Sequence, residues 1–268
     1  MERLLAFIED HRVLVLTGAG CSTKSGIPDY RGPTTGRAPR NPIQHAAFIR
    51  SAFVRRRYWA RSCLGWPRFA AAKPNDTHRA CARLEALGRS VGVVSQNVDG
   101  LHQAAGSRGV VELHGSLAQV TCLSCHETMS REQLQTLLVR DNPGWLDLVA
   151  ATAPDGDVDL PDVLVEQFTA PHCACGGGLM PDVVFFGGNV RPPVLQAAWD
   201  LFAQAEGLLV VGTSLTVFSG YRFARKAAEQ GMPIAILNSG PTRADEFANV
   251  RVDAECGEVL RTLVGRLV

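Results

Sequence analysis

Val13-Leu14-Val15-Leu16-Thr17-Gly18-Ala19-Gly20-Cys21-Ser22-Thr23-Lys24-Ser25-Gly26-Ile27-Pro28-Asp29-Tyr30-Arg31-Gly32 is an apolar run that breaks into a glycine turn. Four consecutive apolar residues without polar alternation read as a parallel strand buried on both faces. Gly-x-Gly directly after such a strand is a phosphate-binding turn. Glycine admits positive φ and lets backbone N–H groups approach an anion, and a helix N-terminus can follow. As a dinucleotide fingerprint it is incomplete. Thr23 stands where the third glycine belongs, and no acidic residue closes a clear second strand about 20 residues on. A hydride-transferring dehydrogenase is disfavoured on that ground.

At 268 residues the chain fits one large domain, or a large domain with a smaller one inserted. No apolar run reaches the roughly 18 residues a membrane helix needs. The opening Met1–Asp10 is amphipathic and lacks a signal-peptide core, so the expectation is a cytoplasmic protein with no membrane partner. A net charge of +1 argues against direct nucleic-acid binding.

Further apolar runs end in polar or glycine turns. Val91–Val94 delivers Ser95-Gln96-Asn97-Val98-Asp99, and Val110–Leu113 ends at His114-Gly115. Val183–Gly187 reads as another strand of the sheet. Leu208–Val211 runs into Gly212-Thr213-Ser214, and Pro233–Leu237 into Asn238-Ser239-Gly240. Strands alternating with helical stretches argue for a doubly wound parallel α/β sheet, with ligands at the carboxyl ends of its strands. Ala46–Trp66 is expected to be helical, and Asn75-Asp76-Thr77 opens another helix with capping chemistry. His78 reads as a packed or surface residue. His114, at a strand terminus with an imidazole neutral near pH 7, is the best general base of the seven histidines.

Cys122-x-x-Cys125 and Cys173-x-Cys175 are two short-spaced thiol pairs, a pattern suited to one tetrahedral structural zinc. The 47 residues between the pairs exceed a zinc ribbon and imply a subdomain. His172 is the alternative third ligand. A redox Cys-x-x-Cys is the other reading, weakened because four cysteines are available as a set.

The glycine-turn string resembles the cofactor loop of the sirtuins, the NAD-consuming protein-lysine deacylases. Gln96-Asn97-Val98-Asp99 is similar to the sirtuin Gln-Asn-x-Asp motif. Arg57–Arg61 with Gly65-Trp66-Pro67, and Val217-Phe218-Ser219-Gly220, look like the class II, mitochondrial-type branch, where other sirtuins more often carry Pro in the latter segment. The matches follow the family order over essentially the whole chain.

The resemblance implies a Rossmann-like NAD-binding domain from 1–32, 75–118 and 181–268. It also implies a helical lid segment at 33–74 and a zinc-binding module at 119–180. NAD as co-substrate would contact Gly18, Ala19, Gly20, Ser22, Thr23, Ile27, Pro28, Asp29, Tyr30 and Arg31. It would also meet Gln96, Asn97 and Asp99, then Gly212, Thr213 and Ser214, then Asn238, Ser239 and Gly240, with the Cys256 backbone near the adenine. Gln96 and Asn97 would serve the nicotinamide ribose, and Asp99 with Ile27 the carboxamide. His114 would be the catalytic base, with Asn97 beside it, and Cys122, Cys125, Cys173 and Cys175 would hold the zinc. Acyl-lysine proteins would bind as an added β-strand beyond Phe186, where Gly187-Gly188-Asn189 replaces the usual Phe-Gly-Glu. In one sirtuin branch a Tyr-x-x-Arg reads an acidic acyl group, which Tyr58 and Arg61 match; a local salt bridge is the other reading of Arg61. Products would be nicotinamide, free lysine and O-acyl-ADP-ribose. Mono-ADP-ribosyl transfer to protein, or an NAD sensor without turnover, are the competing functions.

Overall fold

The computed structural model describes residues 1–29, 42–148 and 160–267. In chain order its strands are β1 (Val13–Thr17), β2 (Ser90–Ser95), β3 (Val110–Glu112), β4 (Gly115–Cys122), β5 (Thr128–Ser130), β6 (Leu179–Val183), β7 (Gly207–Val211), β8 (Ile234–Leu237) and β9 (Val250–Val252). The helices are α1 (Glu2–Asp10), α2 (His45–Arg50), α3 (Ala52–Ala70), α4 (Asp76–Ala86), α5 (Leu101–Ala104), α6 (Arg131–Asp141), α7 (Asp162–Gln167), α8 (Pro192–Phe202), α9 (Phe218–Glu229) and α10 (Cys256–Arg266). The chain divides into two compact units, one of residues 1–37, 73–114 and 190–268, the other of residues 38–72 and 115–189.

The first unit is built on a six-stranded sheet in the order β3-β2-β1-β7-β8-β9, every pairing parallel. Successive side chains of a strand point to opposite faces, and here both faces are covered. Val13 and Val15 pack with α1, α4 and α10 through Leu4, Ile8, Leu84 and Leu260. Leu14 and Leu16 pack the other way with Phe202 of α8 and Phe223 of α9. That double cover is why β1 is apolar without alternation. Truncating a residue such as Leu14 to Ala would cost about 2–5 kcal/mol.

β1 is followed by β2 and β3 on one side and flanked by β7 on the other, so the strand order reverses between β1 and β7. Connections diverge there and leave a crevice at the carboxyl ends. The chain after β1 does not enter an α-helix. It makes two short 3₁₀ turns, Ala19–Cys21 and Thr23–Ser25, and stops at Gly26 with φ 83°. Among the described residues the glycine turn is followed by these 3₁₀ turns and not by an α-helix N-terminus.

The second unit carries a three-stranded antiparallel sheet, β5-β4-β6. Two expectations change in this unit. Residues 184–187 do not extend a strand of the parallel sheet. β6 lies earlier, pairs antiparallel with β4, and alternates buried Leu179 and Pro181 with half-buried Met180 and Asp182. It is an edge strand, where a proline lacking an N–H is tolerated. The helix expected over 46–66 is two helices, because Ser51 is extended and caps α3 by accepting the Val54 N–H at 3.3 Å.

The core of this unit gathers Trp59, Leu134, Leu138, Trp145 and Phe168 around a fully buried Arg131. Its guanidinium lies over the rings of Trp59 and Trp66, at 5.5 and 4.7 Å, and donates to the Ser62 carbonyl and hydroxyl and to Gln135 Oε1. Burial lowers its pKa to about 10. Cation–π contacts and charge-directed hydrogen bonds offset the desolvation that an unpaired buried charge would incur.

Candidate active site

The carboxyl ends of β1, β2 and β7 are stitched together by the polar residues that the sequence leaves there. Gln96, just past β2, takes its backbone N–H to the Thr17 carbonyl at 3.0 Å. Its side-chain Nε2 donates to the same carbonyl at 3.0 Å and to Thr213 Oγ1 at 3.0 Å. Gly20 N–H donates to the Gly212 carbonyl at 2.9 Å, joining the two glycine turns directly. A Cβ on Gly20 would lie 2.8 Å from that carbonyl oxygen, and one on Gly212, whose φ is 59°, would lie 2.6 Å from the Cys21 nitrogen. The glycines are required by this close approach of backbone to backbone.

Asn97 donates from Nδ2 to the Gly18 carbonyl and to Ser22 Oγ, both at 3.0 Å. Ser22 donates in turn to Asp99 Oδ2 at 2.6 Å. His78 joins the same hydroxyl at 3.4 Å through Nε2, while its Nδ1 accepts the Asn75 N–H at 3.2 Å, so the ring carries its proton on Nε2. Burial is the main cause that lowers the His78 pKa to about 4, with Asp99 pulling it up and Arg79 pushing it further down. His102, edge-on to His78 at 4.8 Å, meets Thr17 Oγ1 at 3.0 Å, and burial holds its pKa to about 3.

His114 follows β3. Its Nδ1 donates to the Gln96 carbonyl at 2.7 Å, and because a carbonyl only accepts, the proton sits on Nδ1. In the neutral ring Nε2 then keeps its lone pair, and Ser219 donates to it at 2.7 Å. Burial lowers the ring's pKa, and the Gln96 carbonyl pulls it the other way. Burial thus favours the neutral ring, whose basic nitrogen is then directed as a general base requires.

Farther along the sheet, Asn238 after β8 closes its own turn through the Ser239 and Gly240 carbonyls, at 3.1 and 2.9 Å. Arg251 braces the same turn by donating to the Asn238 carbonyl at 3.0 Å and to Asp245 Oδ1 at 3.0 Å. Cys256 opens α10, its thiol toward the Leu237 carbonyl at 3.5 Å, and Ser214 Oγ is paired with Thr216 at 2.9 Å. Ala19, Thr23, Ile27, Pro28 and Asp29 lie on the turn after β1, whereas Tyr30 and Arg31 lie outside the described residues.

In the second unit the four sulfurs of Cys122, Cys125, Cys173 and Cys175 all lie within 4.8 Å of one another. Cys122 and Cys175 are 3.5 Å apart, Cys125 and Cys173 3.6 Å. A tetrahedron with Zn–S of about 2.3 Å has edges of about 3.8 Å, so the donors fit one structural zinc with no open position. His172 pairs by backbone with Gly178 and stands outside the sulfur group. The backbone N–H groups of Cys125 and Ser124 lower the Cys122 pKa to about 6, favouring the thiolate a metal binds. Tyr58 packs edge-on to Phe48 and Phe185, and Arg61 is buried on the same helix.

Asn75 caps its helix and His78 is packed, as the sequence reads, while the hydrogen bonds that His78, His102 and Ser219 make around the site were missed. Asn75-x-x-His78 has capping-box spacing, and the His side chain does return to the N-cap backbone. Ser219 stands in the Val217–Gly220 segment that carries the resemblance, but nothing local marks its bond to a partner 105 residues away.

A parallel sheet that reverses order between β1 and β7, with ligand turns at its carboxyl ends, defines an α/β dinucleotide-binding protein. The pattern of the Sir2 family matches residues 18–219. An NAD-dependent protein deacetylase of Xanthomonas campestris is 52% identical over 262 residues, covering 97% of this chain and 89% of the relative. The NAD-dependent protein lipoamidase sirtuin-4, mitochondrial, of Homo sapiens is 50% identical over 253 residues, covering 93% and 81%. Among solved structures, a Sir2 homolog–NAD complex superposes with a TM-score of 0.75 at 31% identity, covering 100% and 93%. A Sir2–p53 peptide–NAD+ complex superposes with a TM-score of 0.74 at 29% identity, covering 99% and 98%. The chain belongs to the Sir2 family.

Proposed function

We propose that this protein removes acyl groups from protein lysine side chains with consumption of NAD. The observation that carries the reading is the His114 ring, bonded through Nδ1 to the carbonyl of the Gln96 that also joins β1 to β7, with Nε2 left as the nitrogen available to act as a base. Relatives named as NAD-dependent deacetylase and lipoamidase support it.

In the proposed reaction NAD lies over the turn after β1, with its nicotinamide near Ile27, Asn97 and Asp99. Asn238, Ser239 and Gly240 hold the adenosine end, with the Cys256 backbone near the base. When bound, NAD would supply an anomeric carbon that loses nicotinamide and bonds the acyl oxygen. His114 Nε2 would take the proton of a ribose hydroxyl as that oxygen bonds the acyl carbon, and departure of the lysine amine with addition of one water would give O-acyl-ADP-ribose and free lysine. A positioned base supplies roughly 10²–10⁴ of the rate. Peptide is proposed to add as a strand beside residues 186–189, where backbone pairing carries affinity whatever the side chains. Tyr58 and Arg61, one helical turn apart, are proposed to set the acyl preference. A cytoplasmic location is proposed from the kinship with bacterial deacetylases.

The test incubates the protein with labelled NAD and a panel of acetyl-, succinyl-, glutaryl- and lipoyl-lysine peptides. Nicotinamide with O-acyl-ADP-ribose is the expected outcome. Label on protein would mean ADP-ribosyl transfer instead, and bound but unconsumed NAD a sensor.

A further inference from the structure

The reaction as written gives no task to Val217-Phe218-Ser219-Gly220, yet this segment touches the base. Ser219 is the second residue of α9, and its hydroxyl lies 2.7 Å from His114 Nε2. The start of α9 is set against Gln96: a Cβ on Gly220 would lie 2.4 Å from Gln96 Oε1. The same Gln96 receives His114 Nδ1–H on its backbone carbonyl. The imidazole is therefore held at both nitrogens, by the end of β2 on one side and the first turn of α9 on the other.

We propose that Ser219 is a positioning residue for the base, holding His114 Nε2 in line through a hydroxyl that donates to the neutral ring and accepts from the protonated one. A hydroxyl carries one donor and two acceptor sites, so it can serve either protonation state by rotating its hydrogen. A substrate hydroxyl arriving at Nε2 replaces Ser219 like for like, one O–H···N bond for another, and the displaced serine is at hand when Nε2 gains its proton. Without the hydroxyl a largely buried imidazole pivots about the single Gln96 bond, and its Nε2 stands unsatisfied while idle.

This rests on the deacylase reading for its kinetic part, and the test has one arm that does not. Ser219→Ala is expected to lower kcat about tenfold, a share of the roughly 10²–10⁴ a positioned base supplies, with KM for NAD unchanged. Ser219→Thr, which keeps the hydroxyl, is expected to restore most of it. In ¹⁵N-histidine spectra, with the His114 signals identified by their loss in His114→Ala, the unprotonated Nε2 should move downfield in Ser219→Ala as its hydrogen bond disappears. An unmoved Nε2 signal, an unchanged kcat, a raised KM at constant kcat, or a Thr variant as slow as Ala would each overturn the role of Ser219. A wild type that consumes no NAD while its Nε2 signal does respond to Ser219→Ala would overturn the deacylase reading, and the kinetic role with it.

Discussion

Ser22 Oγ donates to Asp99 Oδ2 at 2.6 Å while accepting from Asn97 Nδ2 at 3.0 Å. One hydroxyl thus ties the turn after β1 to the loop after β2, and His78 Nε2 meets it as well at 3.4 Å. Ser22→Ala leaves the Asn97 amide and the Asp99 carboxylate each short of a partner. The expected result is a loss of about 1–3 kcal/mol in stability and a raised KM for NAD, read by urea unfolding and steady-state kinetics. Unchanged values for both would show that the hydroxyl is replaceable.

His114→Ala is expected to abolish deacylation while NAD still binds and the melting temperature holds. Because burial lowers the His114 pKa, the ring keeps its lone pair below the ordinary histidine value of about 6.5. The acidic limb of kcat/KM should therefore fall below pH 6.5. A limb above that value would assign the base elsewhere.

Burial of His78 and His102 is expected to make folding pH-dependent. Their folded pKa values, about 4 and about 3, lie below the unfolded value of about 6.5, so the unfolded chain binds the protons first. Their contribution is fully present above pH 6.5 and is lost as pH falls toward the folded values. Well inside that window each ring costs about 1.4 kcal/mol per pH unit. Urea midpoints measured from pH 7.5 to 5 should drop, and His102→Gln should flatten the slope. An equal slope in the variant would exclude His102 as a source.

Cys173→Ser is expected to reduce bound zinc from one ion per chain and to lower the melting temperature, whereas His172→Ala should leave metal content unchanged. Metal analysis of the two variants reads this directly. The opposite pattern would exchange the ligand assignments.

Gly20→Ala should weaken NAD binding together with folding, since its Cβ would meet the Gly212 carbonyl oxygen at 2.8 Å. Backbone on both sides leaves little room to yield. Isothermal titration at full folding, at low temperature, separates the two effects, and wild-type affinity there would contradict the clash.

Much of this was legible in the sequence because parallel strands buried on both faces are apolar runs, and their ligand turns follow at once. Val13–Leu16 with Gly18 and Gly20, and Val91–Val94 with Gln96 to Asp99, are read this way. The four cysteines announce themselves by spacing. Less legible was β6, because Phe185 and Phe186 extend its apolar look past Val183, while the pairing that ends the strand belongs to β4, far back in the chain. Ser219 and His102 were illegible for a different reason. Their roles depend on hydrogen bonds to His114 and Thr17, over separations of 105 and 85 residues, and a serine or histidine inside a helix carries no local mark of such a bond.

The two cysteine pairs have an evolutionary corollary. Converging sulfurs clasp the chain at both ends of the stretch from 126 to 172, and Leu134, Leu138, Trp145 and Phe168 within it pack against Trp59, so the described part of the stretch is held by its content as well as by its ends. Doubling the length of a flexible closed loop adds only about 0.6 kcal/mol of closure entropy. Insertions and deletions among kindred enzymes should accumulate inside this clasp at positions that leave Leu134, Leu138, Trp145 and Phe168 in the core, and there a lineage can add recognition surface at little thermodynamic cost.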